Sequence, residues 1–333
     1  MSDSRGFRAR IEPVPPATSR PLWSVMIPTY HCADYLAQTL SSVLEQDPGP
    51  ELMQIEVIDD HSTRDDPEGV VREIGRGRVD FVRQPENVGH VRNFETCLAR
   101  SRGHLIHILH GDDAVLDGFY RTMQQPFEAH PEVGAAFCRY IAMDSSGTWT
   151  HVSALEQPEA GVIGDWLRRI AEGQRLQTPT VVVRRSVYEQ LGGFDQRLLY
   201  AEDWEMWVRI AAHFPVWYEP RPLAAYRIHA VSSSGRLAQT GSTFRDLRRA
   251  VQLNREHLPR DLVDEIASTA LRAAAHAAIR RGHRMISHGE MRVPLVNMRE
   301  AVLCSRAPSV LARLPLLAAH WLVAGAWSIV RGR

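Results

Sequence analysis

The chain has 333 residues, its 39 basic and 39 acidic side chains cancel, and 44% of its residues are hydrophobic. That length and composition suit about two ordinary domains with buried cores and exclude collagen-like, disordered and small disulfide-stapled classes. With no net charge there is no overall field to draw nucleic acid to the surface.

Every one of the 39 basic residues is an arginine. A Walker A loop, a Schiff base and pyridoxal chemistry each need a lysine amine, so those three mechanisms are closed. Cys32, Cys97, Cys138 and Cys304 lie far apart and form no CxxC. That spacing suggests neither a zinc cage nor a disulfide framework, and it fits a reducing cytosol.

In chain order, residues 1–20 carry arginines and prolines without the apolar core of a signal peptide and read as a flexible N-terminal arm. From residue 22 to about 140, apolar runs alternate with helical periodicity, the signature of a layered βαβ domain. The expected strands are Trp23–Pro28, Ile55–Ile58, Val79–Val82, Leu105–Leu109 and Gly134–Arg139. Leu36, Leu40, Val43 and Leu44 mark one helix, Val91, Phe94 and Leu98 the next, and Leu116–Ala129 a third. The stretch 141–230 is less regular, with strands expected at Thr180–Val183 and Leu223–Arg227 and a helix starting near Asp203. Beyond Ser232-Ser233-Ser234-Gly235 an Ala-, Leu- and Arg-rich helical pattern runs to the end. The division expected is therefore 1–20 arm, 21–233 α/β domain and 234–333 helical region. Within the latter, Leu314–Val330 falls short of the roughly 20 residues a spanning helix needs. Arg306, Arg313 and His320 recur at seven-residue spacing, so the helix either packs on a neighbour or lies on a membrane surface.

Open α/β sheets bind ligands beyond the carboxyl ends of their strands. Here the first strand ends in Pro28-Thr29-Tyr30, the second in Asp59-Asp60-His61-Ser62, and the Leu105 strand leads into His110-Gly111-Asp112-Asp113. No GxGxxG follows any of them, which argues against a dinucleotide oxidoreductase. Acid pairs at two strand ends on one rim repel one another unless a cation or shared protons offset the repulsion. A hard divalent ion, Mg²⁺ or Mn²⁺, takes oxygen ligands and in turn holds a diphosphate. His104, His107 and His110 make a poor three-histidine site because strand side chains alternate, which turns His107 away from the other two.

The stretches VMIPTY (25–30), VIDDHS (57–62), ENVGHVRN (86–93), LHGDDAV (109–115), LGGFDQRLLYAEDWEMWVRI (191–210) and PLAAYRIH (222–229) together resemble the family 2 glycosyltransferases. The resemblance covers roughly residues 22–233. It implies the GT-A fold, a Rossmann-like central mixed sheet flanked by helices, and an inverting, nucleotide-sugar-dependent enzyme. By that match Pro28, Thr29 and Tyr30 line a nucleoside pocket, and Asp60 bonds the base with Asp59 beside it. Arg92 neutralises phosphate charge, and Asp112 contacts ribose or donor sugar. Asp113 is the metal ligand, with His229 a further contact to metal or diphosphate. His110 stands where the family's Asp-x-Asp motif has its first aspartate, which leaves the number of ligands open. Within the pair Glu202-Asp203 the second residue removes the acceptor proton, with Glu202 and Trp204 on the acceptor side. Asp203 also suits a helix cap. Asn87 and Gly89 equally suit a cap and turn.

The expected function is transfer of a sugar from a nucleotide-diphosphate sugar to a hydroxyl of a glycan, glycolipid or small molecule, probed against two rivals. One is a nucleotidyltransferase, whose glycine-rich loop and lysine are absent. The other is a catalytically idle nucleotide-sugar-binding scaffold, against which the set Asp60, Asp112, Asp113 and Asp203 speaks. The expected setting is cytoplasmic, in cell-envelope polysaccharide or glycolipid synthesis, with peripheral membrane contact through residues 306–333.

Overall fold

The computed structural model describes residues 4–229 and 242–331, together with Ser232, Gly235 and Leu237. Residues 1–3, the expected domain boundary at 233/234 and residues 332–333 lie outside the described residues. The described chain groups into two units. The first takes in residues 4–166, 175–197 and 209–229; the second, residues 167–174, 198–208 and the described residues from 232 onward.

The first unit begins with β1 (Trp23–Thr29), α1 (Ala33–Leu44), β2 (Met53–Asp59), α2 (Pro67–Gly75), β3 (Asp80–Arg83), α3 (His90–Arg100) and β4 (Leu105–Ile108). It continues with β5 (Ala114–Val115), α4 (Phe119–Ala129), β6 (Ala135–Met143), β7 (Trp149–Val152) and β8 (Gly161–Val162). Next in chain order come α5 (Trp166–Ala171), most of which belongs to the second unit, β9 (Val181–Arg184) and α6 (Arg185–Leu191) of the first, α7 (Glu202–Ala211), again mostly of the second, and β10 (Val216–Arg227) of the first. The strands form one mixed sheet in the order β3-β2-β1-β4-β9-β6-β10-β5, with β7 on β6 and β8 on β10. β1 runs parallel to both β2 and β4, whereas β9 enters antiparallel between β4 and β6.

Every residue of β1 and β2 is buried, because helices cover both faces of this half of the sheet. On one face Val25, Ile27, Ile55 and Val57 join Leu36 and Leu40 of α1, Val71 of α2 and Phe119 and Met123 of α4 in a single core. Each such fully buried side chain contributes about 1.5–3 kcal/mol of transfer free energy. On the other face a buried polar ladder runs from Ser24 to Gln54 (2.6 Å) and on to Glu56 (3.0 Å), and Arg100 of α3 closes it with an ion pair. α2 starts where its sequence says it should. Asp66 caps it by accepting from the Gly69 amide at 2.9 Å, and Pro67 follows in the first turn.

Two expectations are corrected. Residues 7–12 are not a free arm: Arg8 bridges to Asp195, the Gly193 amide donates to the Ala9 carbonyl, and Ile11 is buried. The last strand is twelve residues long and begins at Val216, not near Leu223. Pro220 and Pro222 read as breakers in sequence, but they fall where the pairing with β6 shifts register, and a bulge tolerates the missing amides.

In the second unit α8 (Ser242–Asn254), α9 (Val263–Ser287), α10 (Val293–Cys304), α11 (Pro308–Leu311) and α12 (Leu314–Arg331) share a core of small and aliphatic residues. Ala274, Ala275, Ala278, Ile279, Ala301 and Leu317 are among its members. Among the described residues no helix is long and apolar enough to cross a membrane.

Candidate active site

β1 lies between β2 and β4, and its last carbonyls receive the first amides of the loops on either side. The Asp60 amide donates to the Thr29 carbonyl (2.9 Å) and the Gly111 amide to the Pro28 carbonyl (3.1 Å). The two acidic loops are thus hung from adjacent residues of one strand end. Pro28 and Thr29 are buried and serve this junction through their backbone, while Tyr30 is half-buried just beyond it. Gly111 is required at the crossing, since a Cβ there would sit 2.6 Å from Thr29 Cγ2 and 2.9 Å from Cys32 Sγ.

The two aspartates ending β2 have different tasks. Asp59 is wholly buried and turned to its own loop. It accepts from the Ser62 amide (3.0 Å) and hydroxyl (2.5 Å) and pairs with Arg83 Nε at 2.8 Å. Asp60 reaches the turn before α3, where it accepts from the amides of Val88 (2.8 Å) and Gly89 (3.0 Å) and from Asn87 Nδ2 (3.1 Å). Burial raises its carboxyl pKa, and those amides oppose the rise. Asn87 is therefore a partner of Asp60, and Gly89 is the residue that begins α3, at a φ of +84° that favours glycine. Arg92 follows in the first turn of α3 with its side chain exposed, and Asn93 anchors the same turn to the Ile58 carbonyl at 2.8 Å.

After β4, His110, Asp112 and Asp113 bring one ligand atom each within 4.8 Å of one another. Asp113 is 1% exposed. Its Oδ1 accepts from the Arg227 amide at 2.8 Å, whereas its Oδ2 has no hydrogen-bond partner among the described residues, His110 Nδ1 lying 3.5 Å away. Burial first, and then the charge of Asp112, push the Asp113 pKa up to about 6. Burial also opposes the charge on Asp112, but the hydrogen bond from His229 and the fields of His110 and His229 outweigh it and hold that carboxyl below its ordinary range. A buried carboxylate oxygen with no donor closer than His110 Nδ1 at 3.5 Å, beside a second carboxylate, is a fitting donor set for a hard divalent cation. His229 was expected at the metal. Its Nε2 lies 2.8 Å from Asp112 Oδ2, a member of the three-residue cluster to which His229 itself does not belong. His107, as expected, faces away into the core, bonded to the Pro179 carbonyl at 2.9 Å.

Sequence reasoning missed Arg227. It is 3% exposed and lies over the Tyr35 ring at 4.4 Å, and it donates to the carbonyls of Asp112 (2.8 Å) and Asp144 (3.1 Å) and to Gln38. Only its place two residues before His229 at a strand end hinted at such a role.

Glu202, Asp203 and Trp204 belong to the second unit. Asp203 accepts from the Trp204 amide (2.6 Å) and from Gln174 Nε2 (2.9 Å). Trp204 is buried and donates to the Ile170 carbonyl at 2.6 Å, and Glu202 is 7% exposed. The turn that leads into α7 is held by another residue that the sequence did not reveal. Oδ2 of Asp246, on α8, accepts from the amides of Leu199 (3.1 Å), Tyr200 (2.7 Å) and Ala201 (3.0 Å) immediately before the helix.

Residues 24–192 match the family model described as glycosyl transferase family 2. An uncharacterized protein of Mycobacterium tuberculosis is 29% identical over 268 residues, covering 77% of this chain and 81% of that protein. Among solved structures, residues 1–349 of S. aureus TarS in complex with UDP-GlcNAc superpose with a TM-score of 0.62 at 15% identity, over 92% of this chain and 91% of that one. A mannosyltransferase from Pyrobaculum calidifontis in complex with GDP-Man and Mn²⁺ superposes with a TM-score of 0.56 at 18% identity, over 97% and 91%. The chain spans about half (52%) of a longer TarS chain. At these identities the structural likeness bears on the fold, which is GT-A.

Proposed function

Because the chain belongs to glycosyl transferase family 2 and is thus a glycosyltransferase, we propose that it moves a sugar from a nucleotide-diphosphate sugar to a hydroxyl acceptor with inversion at the anomeric carbon. The observation that carries the reading is the buried Asp113 carboxylate, its Oδ2 left without a hydrogen bond, on a loop hung from the same strand end as Asp60.

In this reading the nucleoside lies along Pro28, Thr29 and Tyr30. Asp60 meets the base and holds the 87–89 turn, while Asp59 braces the loop that presents it. Asp112, oriented by His229, meets the ribose or donor sugar. The exposed Arg92, in the first turn of α3, faces diphosphate charge, which a helix N-terminus also favours. Asp113, with Asp112 and His110 beside it, would hold Mn²⁺ or Mg²⁺, and such an ion when bound supplies positive charge to the leaving diphosphate. A sugar hydroxyl is a poor nucleophile, so a carboxylate must take its proton as the new bond forms. Asp203 takes that proton and the acceptor oxygen bonds to the anomeric carbon. The bond from that carbon to the phosphate oxygen breaks, and its electron pair leaves with the nucleotide diphosphate. Glu202 and Trp204 shape the acceptor side. The acceptor is a cell-envelope glycan or glycolipid intermediate, met at the membrane surface by the C-terminal helices.

A panel of nucleotide sugars, each tested for protection against thermal unfolding with and without Mn²⁺, tests the donor reading. One or more nucleotide-diphosphate sugars should raise the melting temperature, and more so with the metal. Absence of protection by every donor with Mn²⁺ present contradicts it.

A further inference from the structure

α10 is amphipathic in an unusual sense. Its inner face, Val293, Asn297, Glu300, Ala301 and Cys304, is buried in the helical unit. Its outward side chains are Arg292 at the cap, Leu295, Val296, Arg299 and Leu303, all exposed. At about 100° of rotation per residue these five fall within an arc of roughly 100°, a single stripe of aliphatic and cationic groups. The helix has one acid, Glu300, and it is turned inward to Arg248 at 3.1 Å. From residue 291 to the end of the chain there is no other carboxylate side chain, while Arg306 and Arg313 continue the exposed positive charge. None of Arg292, Arg299, Arg306 and Arg313 has a carboxylate partner among the described residues.

We infer that the outward stripe of α10, Arg292–Leu295–Val296–Arg299–Leu303, is a docking face for an anionic lipid bilayer surface. A protein partner of mixed charge would be met by mixed charge, and a water-facing helix would carry acids among its arginines. An uninterrupted pairing of guanidinium and aliphatic side chains complements instead a plane that is negative at its surface and apolar a few ångströms beneath. Exposed aliphatic residues on one side of a helix also point to an interaction surface. This inference extends the proposed membrane contact of residues 306–333 to a helix outside that segment, and it rests on the general reading of a membrane-surface acceptor.

The test is cosedimentation of the full chain with phosphatidylcholine vesicles and with vesicles containing about one third phosphatidylglycerol. Two variants accompany the wild type: R292Q/R299Q on the stripe, and L316S/L322S/V323S at exposed positions of α12. All five substituted side chains are exposed, so folding is retained and circular dichroism checks it. The wild type should bind the anionic vesicles and largely ignore the neutral ones, less so as salt rises. R292Q/R299Q should weaken binding roughly twenty-five-fold, from about fivefold per arginine near an anionic surface. Unchanged binding by R292Q/R299Q with loss in the α12 variant overturns the stripe and leaves the tail contact standing. The opposite pattern supports the stripe and removes the tail. Equal binding to neutral vesicles, or a dimer that R292Q/R299Q converts to monomer without altering lipid binding, overturns the inference.

Discussion

Asp246 lies more than forty residues beyond the three amides it holds, and replacing it with alanine isolates its role. Its Oδ2 accepts three amides, those of Leu199, Tyr200 and Ala201, that lie just ahead of α7. Hydrogen bonds to a charged acceptor contribute about 1.5–3 kcal/mol each, but three amides sharing one oxygen do not add, so about 2 kcal/mol is the expected loss for Asp246→Ala. For a chain of this size that corresponds to roughly 4–8 °C in melting temperature. Asparagine keeps an acceptor oxygen, so Asp246→Asn should lose no more than half as much. Burial raises the Asp246 pKa. Its contribution is therefore largest at low pH and declines as pH rises from the ordinary 3.8 through the raised folded value, a dependence the asparagine variant lacks. Because Asp203 stands in the first turn of α7, Asp246→Ala should also lower the turnover of sugar transfer about tenfold while donor affinity stays within twofold. Calorimetry with steady-state kinetics reads both quantities. An alanine variant as stable and as active as the wild type refutes this role for Asp246.

Arg227→Met should weaken Mn²⁺-dependent donor binding by at least tenfold, seen by isothermal calorimetry, because the side chain that ties Asp112 and Asp144 is lost. Leaving their carbonyls and the Gln38 amide oxygen without that donor should also cost about 2–4 kcal/mol of stability in denaturant melts. Gly111→Ala forces Thr29 and Cys32 apart, an overpacking cost of about 1–3 kcal/mol, and should lower metal-dependent donor affinity. Burial lowers the pKa of His107 to about 4, below the ordinary 6.5. The neutral ring thus contributes fully above pH 6.5, and its contribution is lost as pH falls toward 4, about 2 kcal/mol of it by pH 5. The drop in stability between pH 7.5 and pH 5 should shrink by that amount in His107→Gln.

Much of the sheet was legible because β1, β2 and β4 are buried and each carries several large apolar residues within a short span. The acidic rim was legible for the same reason, since polar residues following such runs fall at strand ends. What a run cannot show is which neighbour it pairs with. The insertion of β9 between β4 and β6 depends on contacts far apart in sequence, as does the docking of residues 7–12 beside Asp195. The division of labour between Asp59 and Asp60 was hidden too, because both are acids at the same strand end and only the positions of Ser62, Arg83 and the 87–89 turn tell them apart. The bond between His229 and Asp112, 117 residues apart, was likewise hidden. Arg227 left only its place at a strand end as a signal and Asp246 left none, because an arginine or an aspartate that bonds backbone groups leaves no pattern of its own.

The central claim is that Asp113 belongs to donor binding and Asp203 to proton transfer. Measuring donor affinity and sugar transfer separately for Asp113→Asn and Asp203→Asn, with Mn²⁺ present, tests it most directly. The account predicts that Asp113→Asn loses donor affinity and transfer together, whereas Asp203→Asn keeps wild-type donor affinity and loses transfer by a thousandfold or so, somewhat within the range of general-base contributions of about 10²–10⁴. Full transfer by Asp203→Asn, or undiminished donor affinity in Asp113→Asn, contradicts it.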